Sequence, residues 1–76
     1  MKLLITGGSG FLGYHIANDL RDKGVEFILF DLVPAELAEY PEGTVYEQGD
    51  IRDKDKLAEV FERHKPDMVV HGAAAL

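Results

Sequence analysis

The spacing of apolar positions changes repeatedly along the chain, and each change marks an element. Residues 2–6 (KLLIT) are a short apolar run with no polar face. Such a run suits a strand covered on both sides in a parallel sheet. From Phe11 the period lengthens. Leu12, Ile16 and Leu20 recur every fourth residue, with Gly13 and Ala17 beside them. This predicts a helix that closes at Lys23-Gly24, where a basic last turn meets a residue able to take a left-handed cap. Residues 25–32 (VEFILFDL) are rich in branched and aromatic side chains and predict a second strand. Residues 34–40 (PAELAEY) allow a short acidic helix that Pro41 cuts off. Residues 44–48 (TVYEQ) read as a third strand and residues 49–53 (GDIRD) as a turn, with Asp53 placed to cap a helix. Leu57, Val60, Phe61 and His64 form one stripe of that helix, over 54–64, and Lys65-Pro66 ends it. Residues 67–73 (DMVVHGA) complete the set as a fourth strand.

Alternating strands and helices require right-handed crossovers and a parallel sheet. The expected fold is α/β: a Rossmann-like half domain of about four parallel strands in the order 3-2-1-4, with helices on both faces. The first helix covers one face and the helix at 54–64 the other, because the chain reverses direction between strands 3 and 4. That reversal opens a crevice at the C-terminal ends of strands 1 and 4, where open sheets of this kind bind ligands.

The glycines sit at that crevice. Gly7, Gly10 and Gly13 satisfy Gly-x-x-Gly-x-x-Gly, and Gly8, Gly10 and Gly13 satisfy Gly-x-Gly-x-x-Gly, between a strand and a helix start. A phosphate needs bare backbone N–H groups at the positive end of a helix, and Gly13 permits close packing of helix on strand. A plain turn with a helix cap needs only one glycine. A nucleoside-triphosphate loop needs Lys and then Ser or Thr after the last glycine; Tyr14 and His15 stand there instead. Asp31 closes strand 2, 18 positions after Gly13. A carboxylate there can accept hydrogen bonds from ribose hydroxyls and repels a 2′-phosphate. Leu32, Val33 and Pro34 follow it without a basic residue, so NAD is favoured over NADP. Asp50 closes strand 3 and can accept from an adenine amino group. A solvated strand end or a turn residue is the plainer alternative for either aspartate.

Composition narrows the partners. The 76 residues suffice for one domain, and 46% are hydrophobic and 29% charged, as in an ordinary globular protein. A formal net charge of −6, with the basic residues scattered, argues against nucleic acid as a partner. No apolar run approaches a membrane span or a signal-peptide core, so no membrane partner is expected and the location is expected to be cytoplasmic. There is no Cys, and no metal site is assigned. His15 and His64 fall on helix surfaces, and His71, nearer the crevice, suits a structural role. Asp53, Asp55, Glu59 and Glu62 read as a solvated helix face, and Phe27, Phe30 and Phe61 as core. Strand 4 is a sheet edge. Met68, Val69 and Val70, without Lys or Pro, leave it open to pairing, and the apolar tail at 73–76 adds to an expected self-association.

The segments ITGGSGFLG, LFD, GDIRD and KPDMVVHGAAA, in that order across residues 5–75, resemble the extended short-chain dehydrogenase/reductase superfamily, in particular the NAD-dependent epimerase/dehydratase group acting on nucleotide sugars. The resemblance implies that Gly7, Gly10, Phe11, Leu12 and Gly13 hold the pyrophosphate of NAD and that Asp31 holds its ribose. It implies that Asp50 and Ile51 flank adenine, and that Gly72, Ala73 and Ala74 line the path to the nicotinamide. Gly72 replaces a bulkier residue common at its position. The group's chemistry uses a Tyr-x-x-x-Lys pair. Here Asn18, Thr44 and Asp50 stand four places after Tyr14, Tyr40 and Tyr46, so no catalytic residue is assigned. The resemblance therefore implies that residues 1–76 are the N-terminal portion of an NAD-binding domain, with a nucleotide sugar as substrate only in a longer parent. The alternative is a stand-alone nucleotide-binding module or a minimal fold made by design.

Overall fold

The computed structural model describes residues 1–72: strand β1 (Lys2–Thr6), helix α1 (Phe11–Asp19), β2 (Glu26–Asp31), one 3₁₀ turn (Leu37–Glu39), β3 (Val45–Gln48), helix α2 (Lys54–His64) and β4 (Met68–His71). All pairings are parallel, as the alternation of elements implies, and the strand order is the expected β3-β2-β1-β4. Leu3 pairs in register with Phe27, Ile5 with Leu29, and Thr6 with both Phe30 and His71.

Side chains alternate across a strand, and this alternation divides the core. Leu3, Ile5, Phe27 and Leu29 point to one face, where they meet Ala17 of α1 and Tyr40. Leu4, Ile28 and Phe30 point to the other, where they meet Val60 of α2 with Ile51 and Leu57 alongside. The central strands β1 and β2 are thus buried on both faces, which is why they read as unbroken apolar runs. Among the described residues, no helix is long and apolar enough to cross a membrane.

Several boundaries differ from expectation. Helix α1 stops at Asp19, well short of Lys23-Gly24. Beyond it the chain tightens into three-residue turns, with Arg21 N donating to the Asn18 carbonyl (3.4 Å) and Lys23 N to the Leu20 carbonyl (3.1 Å). Gly24 (φ +71°) then turns the chain into β2. Leu12 is 54% exposed, so the buried stripe of α1 runs through Gly13 and Ala17, with Ile16 and Leu20 partly covered. β2 ends at Asp31 because the Asp31 carboxylate accepts from Val33 N (3.2 Å) and bends the chain out of the sheet. Leu32 and Val33 are left exposed. Phe61 is not a core residue: it is 39% exposed, about 100° around the helix from the buried Val60. The termini of α2 follow the sequence. Asp53 caps it by accepting from Lys56 N (3.1 Å), and Lys65 leaves it in a left-handed conformation (φ 48°). The expected fourth strand ends at His71; Ala73, Ala74 and the tail at 73–76 lie outside the described residues.

The two edge strands are held differently. On β3, Glu47 accepts from Arg63 Nη1 (2.6 Å) and lies 2.5 Å from His64 Nε2, both from the last turn of α2. Burial alone pushes the Glu47 carboxyl up. The hydrogen bonds from His64 and Arg63 outweigh it and hold the pKa below its ordinary 4.5. Arg63 also pairs with Glu59. On β4, Met68 and Val69 are 53% and 43% exposed.

A carboxyl whose pKa is depressed by folding adds stability above its unfolded pKa and loses it as pH falls through the folded value. Acidification from about pH 6 to about pH 3 should therefore lower the urea midpoint. Glu47→Gln should be less stable at the upper pH but lose less on acidification. Equal losses in both proteins would show that the Glu47 pairing contributes nothing.

Candidate functional site

Between β1 and α1 the backbone makes contacts that side chains would forbid. Gly7 leaves the strand with φ +69°, in the left-handed region that glycine occupies at least cost. The amides of Gly7 and Gly8 both donate to the Phe30 carbonyl, at 2.8 and 3.4 Å, and lay the turn on the end of β2. A Cβ on Gly8 would come within 2.8 Å of Leu29 Cβ and 2.9 Å of the Ile5 carbonyl oxygen. A Cβ on Gly13 would lie 2.4 Å from the Gly8 carbonyl oxygen. Helix and loop therefore touch backbone to backbone. Gly10 differs: a Cβ there would meet only the Gly7 carbonyl oxygen, at 3.3 Å.

Gly10 is the N-cap of α1, and no side chain caps the helix. The first i→i−4 bond is made by Tyr14 N to the Gly10 carbonyl (3.0 Å). The amides of Phe11, Leu12 and Gly13 precede it, so they have no carbonyl one turn back within the helix. With the aligned peptide dipoles they present open donors of the kind that suits an anion. The side chain of Phe11 is 81% exposed beside it, its ring packed edge-on against His15 at 4.3 Å. An open cleft of about 390 Å³ adjoins Ser9, Gly10 and Phe11 and extends past Tyr14 to Glu36 and Tyr40.

Asp31, the last residue of β2, faces this loop. Its Oδ2 accepts from Ser9 N (3.1 Å) and its Oδ1 from Val33 N (3.2 Å). Each carboxylate oxygen keeps a further lone pair for a hydroxyl donor. Tyr46 of β3 donates its hydroxyl to the Asp31 carbonyl (3.0 Å). Burial and the Asp31 charge raise the Tyr46 pKa, which keeps that proton in place. Gly7, Gly10, Phe11, Leu12, Gly13 and Asp31 are thus gathered around one turn.

Asp50 and Ile51 follow β3, next to β2: Gly49 N donates to the Asp31 carbonyl at 3.0 Å. Hydrogen bonds from the Arg52 side chain and backbone hold the Asp50 carboxyl down to about 2, and Arg52 Nη2 lies 2.6 Å from Oδ2. Ile51 is half-buried against the α2 side of the core. Gly72 lies on the far side of β1, its amide donating to the Thr6 carbonyl (2.9 Å). A Cβ on Gly72 would sit 2.9 Å from that same oxygen, so the chain comes closer to β1 here than a bulkier residue allows. Thr6 Oγ1 and His71 Nδ1, 2.7 Å apart, join the two strands beneath it. Ala73 and Ala74 lie outside the described residues. The sequence reading gave no site role to Ser9, weighed Tyr40 only as a possible catalytic tyrosine, and named Gly8 only within a motif. Gly8 was legible as the first glycine of the second motif. Ser9 and Tyr40 contribute an amide and a long-range hydroxyl contact that no local pattern announces.

The sequence pattern of the NAD dependent epimerase/dehydratase family matches residues 3–76. The chain is 38% identical over 75 residues to a UDP-glucose 4-epimerase of Rhizobium meliloti (strain 1021), an alignment covering 99% of this chain and 23% of that protein. It is 37% identical over 82 residues to dTDP-glucose 4,6-dehydratase 1 of Escherichia coli (strain K12), covering 97% and 23% respectively. The crystal structure of a Thermus thermophilus UDP-glucose 4-epimerase in complex with NAD superposes with a TM-score of 0.83 at 37% identity, over 99% of this chain and 24% of that one. The chain spans about a quarter of the length of these relatives.

Two glycine substitutions should separate packing from ligand contact. Gly13→Ala sets a methyl group against backbone atoms that cannot rotate away, and overpacking of this kind costs about 1–3 kcal/mol or more. Gly10→Ala needs only a small shift of one carbonyl and should change stability far less. Urea unfolding of the two variants checks the order, and equal costs would contradict the contact assigned to Gly13.

Proposed function

The chain belongs to the NAD dependent epimerase/dehydratase family, and from that premise we propose that it is the NAD-binding segment of a nucleotide-sugar epimerase or dehydratase. The observation that supports this reading best is the uncapped start of α1, held against the sheet by the contact of Gly13 with the Gly8 carbonyl. It leaves neutral N–H donors beside the Asp31 carboxylate, and a dinucleotide presents a pyrophosphate and a ribose diol to such a pair. The first-turn amides of α1 and the bare Gly10 take the pyrophosphate. Asp31 takes the ribose hydroxyls and disfavours a 2′-phosphate. Asp50 and Ile51 flank the adenine side, and Gly72 faces the nicotinamide side. When bound, NAD supplies the hydride acceptor and donor for chemistry on a sugar carbon. These residues bind and orient it. A Tyr-x-x-x-Lys pair is absent from the sequence, so the acid/base step belongs to other parts of a longer protein. We further propose that the chain self-associates through β4, the edge strand with exposed Met68 and Val69.

Titration with NAD, followed by amide NMR shifts, should perturb residues 7–13 and Asp31 first. Shifts confined to other surfaces would sink the reading. The wild type should prefer NAD to NADP. Asp31→Ala should weaken NAD binding by on the order of 1.5–3 kcal/mol, the range for a hydrogen bond to a charged group. Equal affinity of the wild type for both dinucleotides would contradict the role of Asp31. Sedimentation over a concentration range should show a dimer or larger species, which an Asp or Lys at Val69 reduces; a sharp monomer throughout would rule out the β4 pairing.

A further inference from the structure

Tyr40 lies 32 positions from Gly8 in the chain, yet its hydroxyl donates to the Gly8 carbonyl at 2.9 Å, and the bond is buried. That carbonyl is the atom against which Gly13 packs. It is therefore gripped from one side by α1 and from the other by the connection between β2 and β3. Other contacts fix the same connection. Asn18 Nδ2 donates to the Tyr14 carbonyl within α1 (3.0 Å) and to the Glu39 carbonyl (3.1 Å). The Tyr40 ring stands edge-on to Tyr14, with centroids 5.8 Å apart and planes at 85°. Tyr40 N donates to the Leu37 carbonyl (3.1 Å) and closes the 3₁₀ turn beneath it. Tyr40 is 7% exposed. Burial, followed by the charges of Glu39 and Asp31, raises its pKa, so the hydroxyl keeps its proton and remains a donor. A buried carbonyl deprived of its donor leaves a polar group unsatisfied. The peptide linking Gly8 to Ser9 carries this carbonyl at one end, and at the other the Ser9 amide that binds Asp31. Rotating it would break the Gly13 contact and withdraw the Ser9 amide, while Val33 N still holds the Asp31 carboxylate in place for a ribose.

We propose that Tyr40 is a positioning residue for the dinucleotide: by holding the Gly8 carbonyl it sets the glycine turn in the conformation that receives the pyrophosphate, and it couples the β2–β3 connection to binding. The inference rests on the NAD-binding reading above. Loss of the hydroxyl lowers the fraction of molecules with the turn in place. The apparent affinity for any ligand that uses the turn falls by that fraction, while a ligand without a pyrophosphate is spared. Coupling is reciprocal, so pyrophosphate binding tightens the 3₁₀ turn at Leu37–Glu39.

The test compares the wild type with Tyr40→Phe, which keeps the ring and removes only the hydroxyl. The probes are ADP-ribose and adenosine. The expected result is a folded variant that binds ADP-ribose roughly three- to tenfold more weakly, the equivalent of one net hydrogen bond, and binds adenosine unchanged. Unchanged binding of both ligands, or an equal loss for both, would overturn the inference. Should the variant not fold, the wild type alone decides. Saturating ADP-ribose should slow hydrogen exchange at the Tyr40 amide and shift its ring resonances, and adenosine should do neither; an unresponsive Tyr40 overturns the proposal. A wild type that binds neither ligand overturns the NAD reading itself, an outcome distinct from a wild type that binds and a variant that binds equally well.

Discussion

The approach of α1 to the glycine turn, backbone against backbone at Gly13 and Gly8, is the constraint on which the rest of the site depends. It determines how close the helix lies to the sheet and where its first amides point. A helix pushed outward by a single methyl group would carry its dipole and its open N–H donors away from the end of β1. Glycine costs about 0.5–1 kcal/mol relative to alanine inside a helix. Burial of Ala17, with partial cover of Ile16 and Leu20, works against that cost. The apolar face of α1 thus stabilises a placement that its own glycine makes possible.

A net charge of −6 is no obstacle to an anionic cofactor under this arrangement. The donors at the turn are neutral peptide groups whose dipoles add along α1, and they act at contact distance. Surface carboxylates farther off are screened over about 8–10 Å at ordinary salt. Under the proposed reading, charge discriminates locally instead. Asp31 faces the turn, where it can accept from hydroxyls and oppose a second phosphate. Asp50 is occupied by Arg52, so its charge is balanced at close range.

The two edges of the sheet show different solutions to one problem. β3 is short and only partly covered, and a cluster of Glu47, Arg63 and His64 ties it to α2. The Tyr46 hydroxyl ties it to β2 at the other end. β4 is joined to β1 by its ladder and by the Thr6–His71 contact, and its apolar side chains stand half open. Family relatives are about four times longer than this chain.

Wherever a property depended on neighbours in sequence, the amino-acid sequence by itself determined it. Unbroken apolar runs identified β1 and β2, because strands covered on both faces need no polar side. Alternation of elements implied a parallel sheet, because parallel strands need crossover connections and these have one hand. Glycine spacing between a strand and a helix identified the turn, and Asp53 and Lys65-Pro66 marked the ends of α2. Asp31 was legible from its position at a strand end. What only the tertiary structure decided came from contacts between residues distant in sequence. Periodicity placed Leu12 and Phe61 inside, yet both are exposed, since a stripe shows which way a side chain points and not whether anything lies there to cover it. The clasp of Tyr40 on the Gly8 carbonyl spans the whole of α1 and β2. No local pattern encodes it, because a hydroxyl finds its acceptor only after the sheet has brought the two segments together.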